Sequence, residues 1–329
     1  MPDAISLYDF RAQRLFAGDL RTFFIGTDFY RNDLYPPFTS LMHFFLYQVG
    51  VANPKIIYSL FFAAFYLVIV GYVKRVTRSS ILGLLAGTLI IATPSVWWNS
   101  FLEITNVIFM IYLSLAVLYL FERDDNKSKS RRILLGSILL GLSTWVRTEP
   151  FWLIPAAFMF IMCIVKKEIK FMVVFGLIVI SMSFLWPLSI SRFASVITMS
   201  PGQNAPTVAS QPTYIIGSTF RVIARSAPQK AREISNHFII PLWQSWGFTL
   251  PAFFVVFLFE LIFKRKLFPW MQFVTIFLSI SILVGITLFS FTFAQWNGLD
   301  NSVYRMAIMT IPLYWVCIIT SDIWKMLNF

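Results

Sequence analysis

Nine apolar stretches separated by short basic loops restrict this chain to one kind of fold, a bundle of helices that cross a membrane. Lipid offers no partner to a free peptide group, so each stretch must close its hydrogen bonds within itself. About 20 apolar residues reach across the hydrocarbon core as a helix, and the pattern places such segments at 56–72, 81–97, 104–121, 133–145, 151–165, 171–190, 238–263, 268–291 and 307–324. Of 329 residues, 58% are hydrophobic and only 13% are charged, a balance foreign to a water-soluble domain of this length. The reading is therefore all-α: a polytopic transmembrane bundle of about nine spans with external amphipathic helices. It divides into an external segment at 1–54, a six-span bundle at 55–190, a long external loop at 191–237 and a three-span bundle at 238–329.

Orientation follows from where lysine and arginine collect. Alternate short loops carry Lys74, Arg75 and Arg78; Arg123, Lys127, Lys129, Arg131 and Arg132; Lys166, Lys167 and Lys170; and Lys264, Arg265 and Lys266. These are expected on the cytoplasmic side, with the 127–132 run read as a solvated face. The formal net charge of +12 is accounted for by this asymmetry and gives no reason to expect a nucleic-acid partner. The same parity places residues 1–54, the 147–149 turn, the long loop and the 292–305 connection outside. An upstream membrane helix is expected ahead of Asp3 on that parity.

The external segment has its own pattern. Residues 4–17 carry Ile5, Tyr8, Ala12 and Leu15 at helical spacing, with Arg11 and Arg14 expected on the opposite face and Gly18 ending the helix. Pro36 and Pro37 lead into a second apolar helix, 38–49, ended by Gly50. Between them, 19–33 reads as an exposed loop that touches substrate, and the long 191–237 loop reads equally as a lid or as a plain connection. Cys163 and Cys317 fall within spans and are expected as core residues. His43 and His237 stand at helix or loop boundaries, where a histidine more often makes a hydrogen bond than ligates a metal.

The carboxylates at the outer ends of helices are the stronger chemical signal. Asp3 precedes the first external helix, Glu103 opens the third span, and Glu149 closes the Trp145-Val146-Arg147-Thr148-Glu149-Pro150 turn. An acid near a membrane is expensive unless paired, which makes each of these a candidate for function; the alternative is a structural pair such as Arg147 with Glu149 or Glu103.

Taken in order, Asp3 to Tyr8 with Arg11-Ala12 and Gly18, the Tyr35-Pro36-Pro37 step, Phe101-Leu102-Glu103 opening a helix, and Gly141 to Trp145 followed by Arg147-Thr148-Glu149-Pro150 resemble the GT-C superfamily of integral membrane glycosyltransferases. These enzymes use polyprenyl-phosphate sugars, and the likeness is to their mannosyltransferase-like bacterial branch. The first half of the chain carries it; the second half adds hydropathy and Ser302-Val303-Tyr304-Arg305 before the last span. Glu103 stands where that family commonly has Asp, Pro150 where it has Gly, and the usual first helix is absent.

The resemblance implies transfer of a sugar from a polyprenyl-phosphate donor to a glycan, lipid or protein acceptor at the outer face of a bacterial inner membrane, among membrane lipids. Asp3 would be the base that deprotonates the acceptor hydroxyl. Arg305 and Arg147 would meet the charge developing on the phosphate. Glu103 and Glu149 would complete the catalytic group, while Tyr35, Arg11 and Asp33 would line the substrate. No spacing demands a cofactor; Mg²⁺ or Mn²⁺ are the cations such hard oxygen ligands would take. A transporter or flippase of a lipid-linked or small polar substrate, or a non-catalytic membrane assembly subunit, would share the hydropathy and the broken turns.

Overall fold

The computed structural model describes residues 8–20, 23, 26–27, 30–31, 36–100, 105–122, 129–147, 150–198, 246–264, 270–292, 306, 308–321 and 323–326. The chain is all-α. Its helices are α1 (Phe10–Phe16), α2 (Phe38–Gln48), α3 (Ile56–Thr77), α4 (Ser80–Ala92), α5 (Pro94–Ser100), α6 (Thr105–Phe121), α7 (Lys129–Val146), α8 (Leu153–Val165), α9 (Ile169–Thr198), α10 (Thr249–Lys264), α11 (Trp270–Thr292), α12 (Ile311–Ile319) and α13 (Ile323–Met326). Short 3-10 turns at Pro150–Trp152 and Ile308–Thr310 lead into α8 and α12. Between α1 and α2, a two-residue antiparallel ladder pairs Gly26 with Arg31 and Thr27 with Tyr30.

Local chemistry sets most of these boundaries. Gly18 and Gly50 adopt φ of +81° and +80°, the left-handed geometry that lets a chain leave a helix without a Cβ clash. The Ser79 side chain accepts a bond from the Leu82 amide at 3.3 Å, an N-cap that starts α4.

One helix corrects the sequence reading. The apolar run 81–97 does not form a single span: α4 stops at Ala92, and α5 leaves at 74° to it. Pro94 supplies no amide hydrogen and pushes the preceding residue out of helical geometry, and Thr93 is accordingly extended at ψ 120°. With 13 residues, α4 is roughly 20 Å long, against about 30 Å of hydrocarbon. Among the described residues, α3 by itself is long and apolar enough to cross a membrane, and α4 with α5 forms a second such element if the bent pair counts as one; the apolar stretches described in the other helices, Ile169–Leu185 of α9 and Met271–Gly285 of α11 among them, are shorter.

The core is organised around α6. Every residue of α6 except Tyr112 and Tyr119 is buried, as its apolar character on all faces requires, and it packs against α7, α3 and the 308–310 turn. By contrast, α3 leaves Ile56, Leu60, Leu67 and Val76 exposed, a surface suited to lipid. The two chemistries of contact differ. The α3–α4 crossing is a close backbone approach, since a Cβ on Gly83 would lie 2.7 Å from the Val70 carbonyl oxygen and 3.3 Å from the Lys74 amide nitrogen. Neither atom can swing aside as a side chain could. Gly83→Ala is therefore expected to destabilise the fold by about 1–3 kcal/mol, the usual cost of overpacking; an unfolding free energy within experimental error of wild type would show that the two helices separate freely.

Successive long helices run in opposite directions, so their ends gather at two poles. At one pole, Arg75 at the end of α3 donates through Nη2 to both carboxylate oxygens of Glu122 after α6, at 2.7 and 2.8 Å. Arg132 in the first turn of α7 donates to the Glu122 carbonyl at 2.8 Å. Lys129 pairs with Glu168 in the α8–α9 turn. Glu260 of α10 accepts from Gln272 of α11 at 2.9 Å and from Ser321 after α12 at 2.6 Å. This is the basic pole. The 127–132 run is not wholly a solvated face, because Arg132 is buried: its guanidinium has the Glu122 carbonyl and carboxylate to turn toward. The opposite pole is capped by α1 and α2, where Tyr8 meets Thr105 at the start of α6 at 3.4 Å and the Phe38 ring meets Phe61 of α3 and Tyr112 of α6 edge-on.

Candidate functional site

The capped pole gathers a cluster of polar and charged side chains. Along α1 and the turn before it, Tyr8, Arg11 and Ala12 are buried while Gln13, Arg14 and Phe16 face outward. That corrects the placement of Arg11 on the face opposite Tyr8 and Ala12: positions 8, 11, 12 and 15 share one stripe of a helix. Arg11 is fully buried, its Nε donates to the Phe23 carbonyl at 3.1 Å, and its guanidinium lies 5.0 Å from the centre of the Phe23 ring. A planar cation with an apolar stem tolerates this setting. Burial pushes its pKa down to about 10, against a smaller opposing effect of Tyr8. Phe23 is itself buried, so the 19–33 stretch is anchored to α1 at that residue and is not simply an exposed loop.

Asp9 sits on the turn leading into α1 with its side chain 18% exposed. Its Oδ1 accepts from the Tyr47 hydroxyl at 2.5 Å and lies 3.3 Å from His43 Nδ1. Its Oδ2 accepts from the Gln13 amide at 2.9 Å. His43 is fully buried in α2, and its Nε2 is 3.2 Å from the Tyr58 hydroxyl in the first turn of α3. With a neutral ring, Nδ1–H donates to Asp9 and Nε2 accepts from Tyr58; with a protonated ring, both nitrogens donate. Helices α1, α2 and, through His43, α3 thus converge on one carboxylate. The arrangement fixes Oδ1 and leaves Oδ2 on the accessible side of α1, which is the disposition a general base needs.

A second feature of this pole is hydrogen-bonding capacity that the protein does not use. Thr39 Oγ1 and Ser40 Oγ on α2, Ser95 Oγ and Asn99 Oδ1 on α5, and Trp246 Nε1 before α10 are buried without a hydrogen-bond partner. At the basic pole, Glu168 Oε2 is in the same state, beside the ion pair with Lys129. Buried polar groups are ordinarily satisfied, so each of these atoms is a position where a partner from outside the chain, such as water, can bond.

Of the residues the sequence singles out, Arg11 is placed as above and Arg147 is half-buried just after α7, at the capped pole. Asp3, Asp33, Tyr35, Glu103, Glu149, Arg305 and His237 lie outside the described residues. Cys163 and Cys317 are buried and free, as core residues. Among the described residues, no three His, Cys, Asp or Glu side chains are grouped to hold a metal ion. Asp9 and Tyr47 escaped the sequence reading, whereas His43 makes the hydrogen bonds expected of it, from inside α2 and not from a boundary. The signal was a histidine and a tyrosine four residues apart on one face of an otherwise apolar helix, where two polar groups share a partner.

No family model, no curated protein and no solved structure matches this chain.

Proposed function

We propose that this chain is an integral membrane glycosyltransferase of about nine spans that moves a sugar from a polyprenyl-phosphate donor to an acceptor hydroxyl at the outer face of a bacterial inner membrane. The observation that carries the reading is the partly exposed Asp9 carboxylate, held by His43, Tyr47 and Gln13 on helices that cap one pole of the bundle. Its support for orientation is the paired basic pole at the other end, where positive loops belong on the cytoplasmic side. The ordered motifs that resemble the GT-C superfamily add the substrate class.

In this reading Asp9 Oδ2 takes the proton of the acceptor hydroxyl. The acceptor oxygen bonds to the anomeric carbon as the bond from that carbon to the phosphate oxygen breaks, and the electron pair leaves with the lipid phosphate. Tyr47 and His43 hold Oδ1, so the carboxylate does not have to be oriented at the moment of reaction. Arg147, and Arg305 from the sequence pattern, meet the charge on the departing phosphate with a planar fork of donors. Asp3, Glu103 and Glu149 remain acids of the same outer face in this proposal, with Tyr35, Asp33 and Arg11 near the substrate. Any Mg²⁺ or Mn²⁺ would be held by those acids.

The test is turnover of radiolabelled polyprenyl-phosphate sugars by the purified chain in vesicles, with acceptor lipid on the outside. Label is expected to appear in the acceptor and free polyprenyl phosphate to be released. The break at Pro94 favours a second reading, a transporter with a discontinuous helix near its substrate; label crossing the bilayer without acceptor-dependent transfer would replace the first reading by that one.

A further inference from the structure

We propose that the turn between α8 and α9 binds the headgroup of an anionic phospholipid, with Lys166, Lys167 and Lys170 around the phosphate and the outward face of α9 against an acyl chain. The inference uses the placement of the bundle in a membrane and is independent of glycosyl transfer.

The turn holds its lysines in fixed positions. The Lys167 amide donates to the Ile164 carbonyl at 3.0 Å and the Glu168 amide to the Cys163 carbonyl at 2.7 Å, the pair of bonds that closes a helix through one left-handed residue. That residue is Lys167, at φ +56°. The ends of α1 and α2 close with the same pair of bonds through Gly18 and Gly50, the residue that carries no penalty there; at the basic pole a cation takes the position and bears the strain. The acid of the turn is engaged elsewhere. Glu168 pairs through Oε1 with Lys129 of α7, its Oε2 is buried, and Lys129 also lies 5.1 Å from the centre of the Phe171 ring. Lys166, Lys167 and Lys170 are exposed, and among the described residues no carboxylate pairs with them. At most about 14 Å separates the Cα atoms of Lys166 and Lys170, and flexible four-carbon stems let neighbouring ammonium groups meet one phosphate.

What adjoins the lysines selects a lipid over a soluble anion. Ile164, Val165 and Ile169 flank them and are exposed. Along α9, Val173, Val174 and Leu177 follow Lys170 at the spacing of one helix face, and all three are exposed, as is Ile180. At 1.5 Å per residue, Ile180 lies about 15 Å along the helix from Lys170, half of the roughly 30 Å hydrocarbon thickness. The face therefore has a cation at its head and one leaflet's depth of apolar surface beneath it. A soluble phosphate would leave that surface uncovered. A zwitterionic lipid brings the same phosphate with a cation that the lysines repel, so the preferred lipid carries net negative charge.

The experiment reads which lipid occupies this face. Val173→Cys, one turn from Lys170, is labelled with a bimane in detergent, both native cysteines being buried. The full chain is then reconstituted in vesicles of phosphatidylcholine and phosphatidylglycerol, with quenching bromines on the chains of one lipid or the other. Phosphatidylglycerol is expected to be preferred, and Lys167→Gly and Lys170→Gln are each expected to lower the preference about fivefold, the worth of one cation at an anionic surface. Because Lys167→Gly relieves the left-handed strain, that variant is expected to unfold no more easily than its parent, which separates lost lipid from lost fold. Lys74→Gln, which removes an exposed cation at the end of α3, is expected to leave the preference unchanged. Equal quenching by the two lipids in the parent would overturn the site, as would a preference that both lysine variants keep in full or that Lys74→Gln lowers as much. Loss of the preference on adding glycerol phosphate would assign the lysines to a soluble phosphate and overturn the lipid. None of these measurements reads turnover, so the site and the transferase stand or fall separately.

Discussion

If the chain is the proposed transferase, Asp9→Asn is expected to lower acceptor-dependent turnover of the polyprenyl-phosphate sugar by ~10²- to 10⁴-fold, the loss typical of removing a positioned general base. The substitution is close to isosteric. Asn retains an Oδ1 that accepts from Tyr47 and His43, and Gln13 on the exposed side can present its carbonyl to the new amide. Folding is therefore expected to change by no more than about 1 kcal/mol, the net worth of a neutral hydrogen bond. The loss belongs in kcat with donor KM little changed, because the proton moves only as the transition state forms. Asp3→Asn, assayed beside it, decides between the two acids: a defect of the same size at Asp3 with near-wild-type turnover at Asp9 would assign the base to Asp3 and leave Asp9 as a tie between α1, α2 and α3.

What the sequence makes legible is what rests on periodicity and composition. The segments at 56–72, 104–121, 151–165 and 268–291 each fall on a helix of the structure, because apolar length and capping residues act locally. The bend within 81–97 was hidden by hydropathy, which treats Thr93 and Pro94 as two residues of a window when Pro94 in fact ends the helix. The site was legible only as a pole. Charge asymmetry marks the loops at the basic pole, and the external amphipathic pattern marks the cap. Of the partners of Asp9, Gln13 is a local one, but His43 and Tyr47 lie 34 and 38 residues away, and pairing at that separation is set by how α1 packs on α2, not by any spacing. Arg11 shows the same limit from the other side: its charge suggests exposure, while the stripe through Tyr8, Ala12 and Leu15 and the carbonyl of Phe23 dictate burial.

The largest loss of stability is expected at the opposite pole, from Glu122→Gln. The Glu122 side chain is 2% exposed, with Arg132 at 9% and Arg75 at 50%. Glutamine keeps the size and one acceptor for Arg75 Nη2 but removes the only negative charge that the cited contacts place beside both arginines. Arg75 can turn to water. Arg132 keeps its bond to the Glu122 carbonyl but loses the carboxylate that lies 3.9 Å from its Nη1. Removing one partner of a buried pair costs about 3–5 kcal/mol, and the half-exposed Arg75 sets the expectation at the lower end, about 3 kcal/mol of unfolding free energy in mixed micelles. Glu168→Gln is the internal comparison: both members of its pair with Lys129 are about a fifth exposed, so a loss of only about 0–1 kcal/mol is expected. Because the proposed base lies at the other pole, the folded fraction of Glu122→Gln is expected to turn over donor at the wild-type rate. A loss no larger than that of Glu168→Gln would mean that water reaches Arg132, and that Glu122 does not lock the ends of α3, α6 and α7 together.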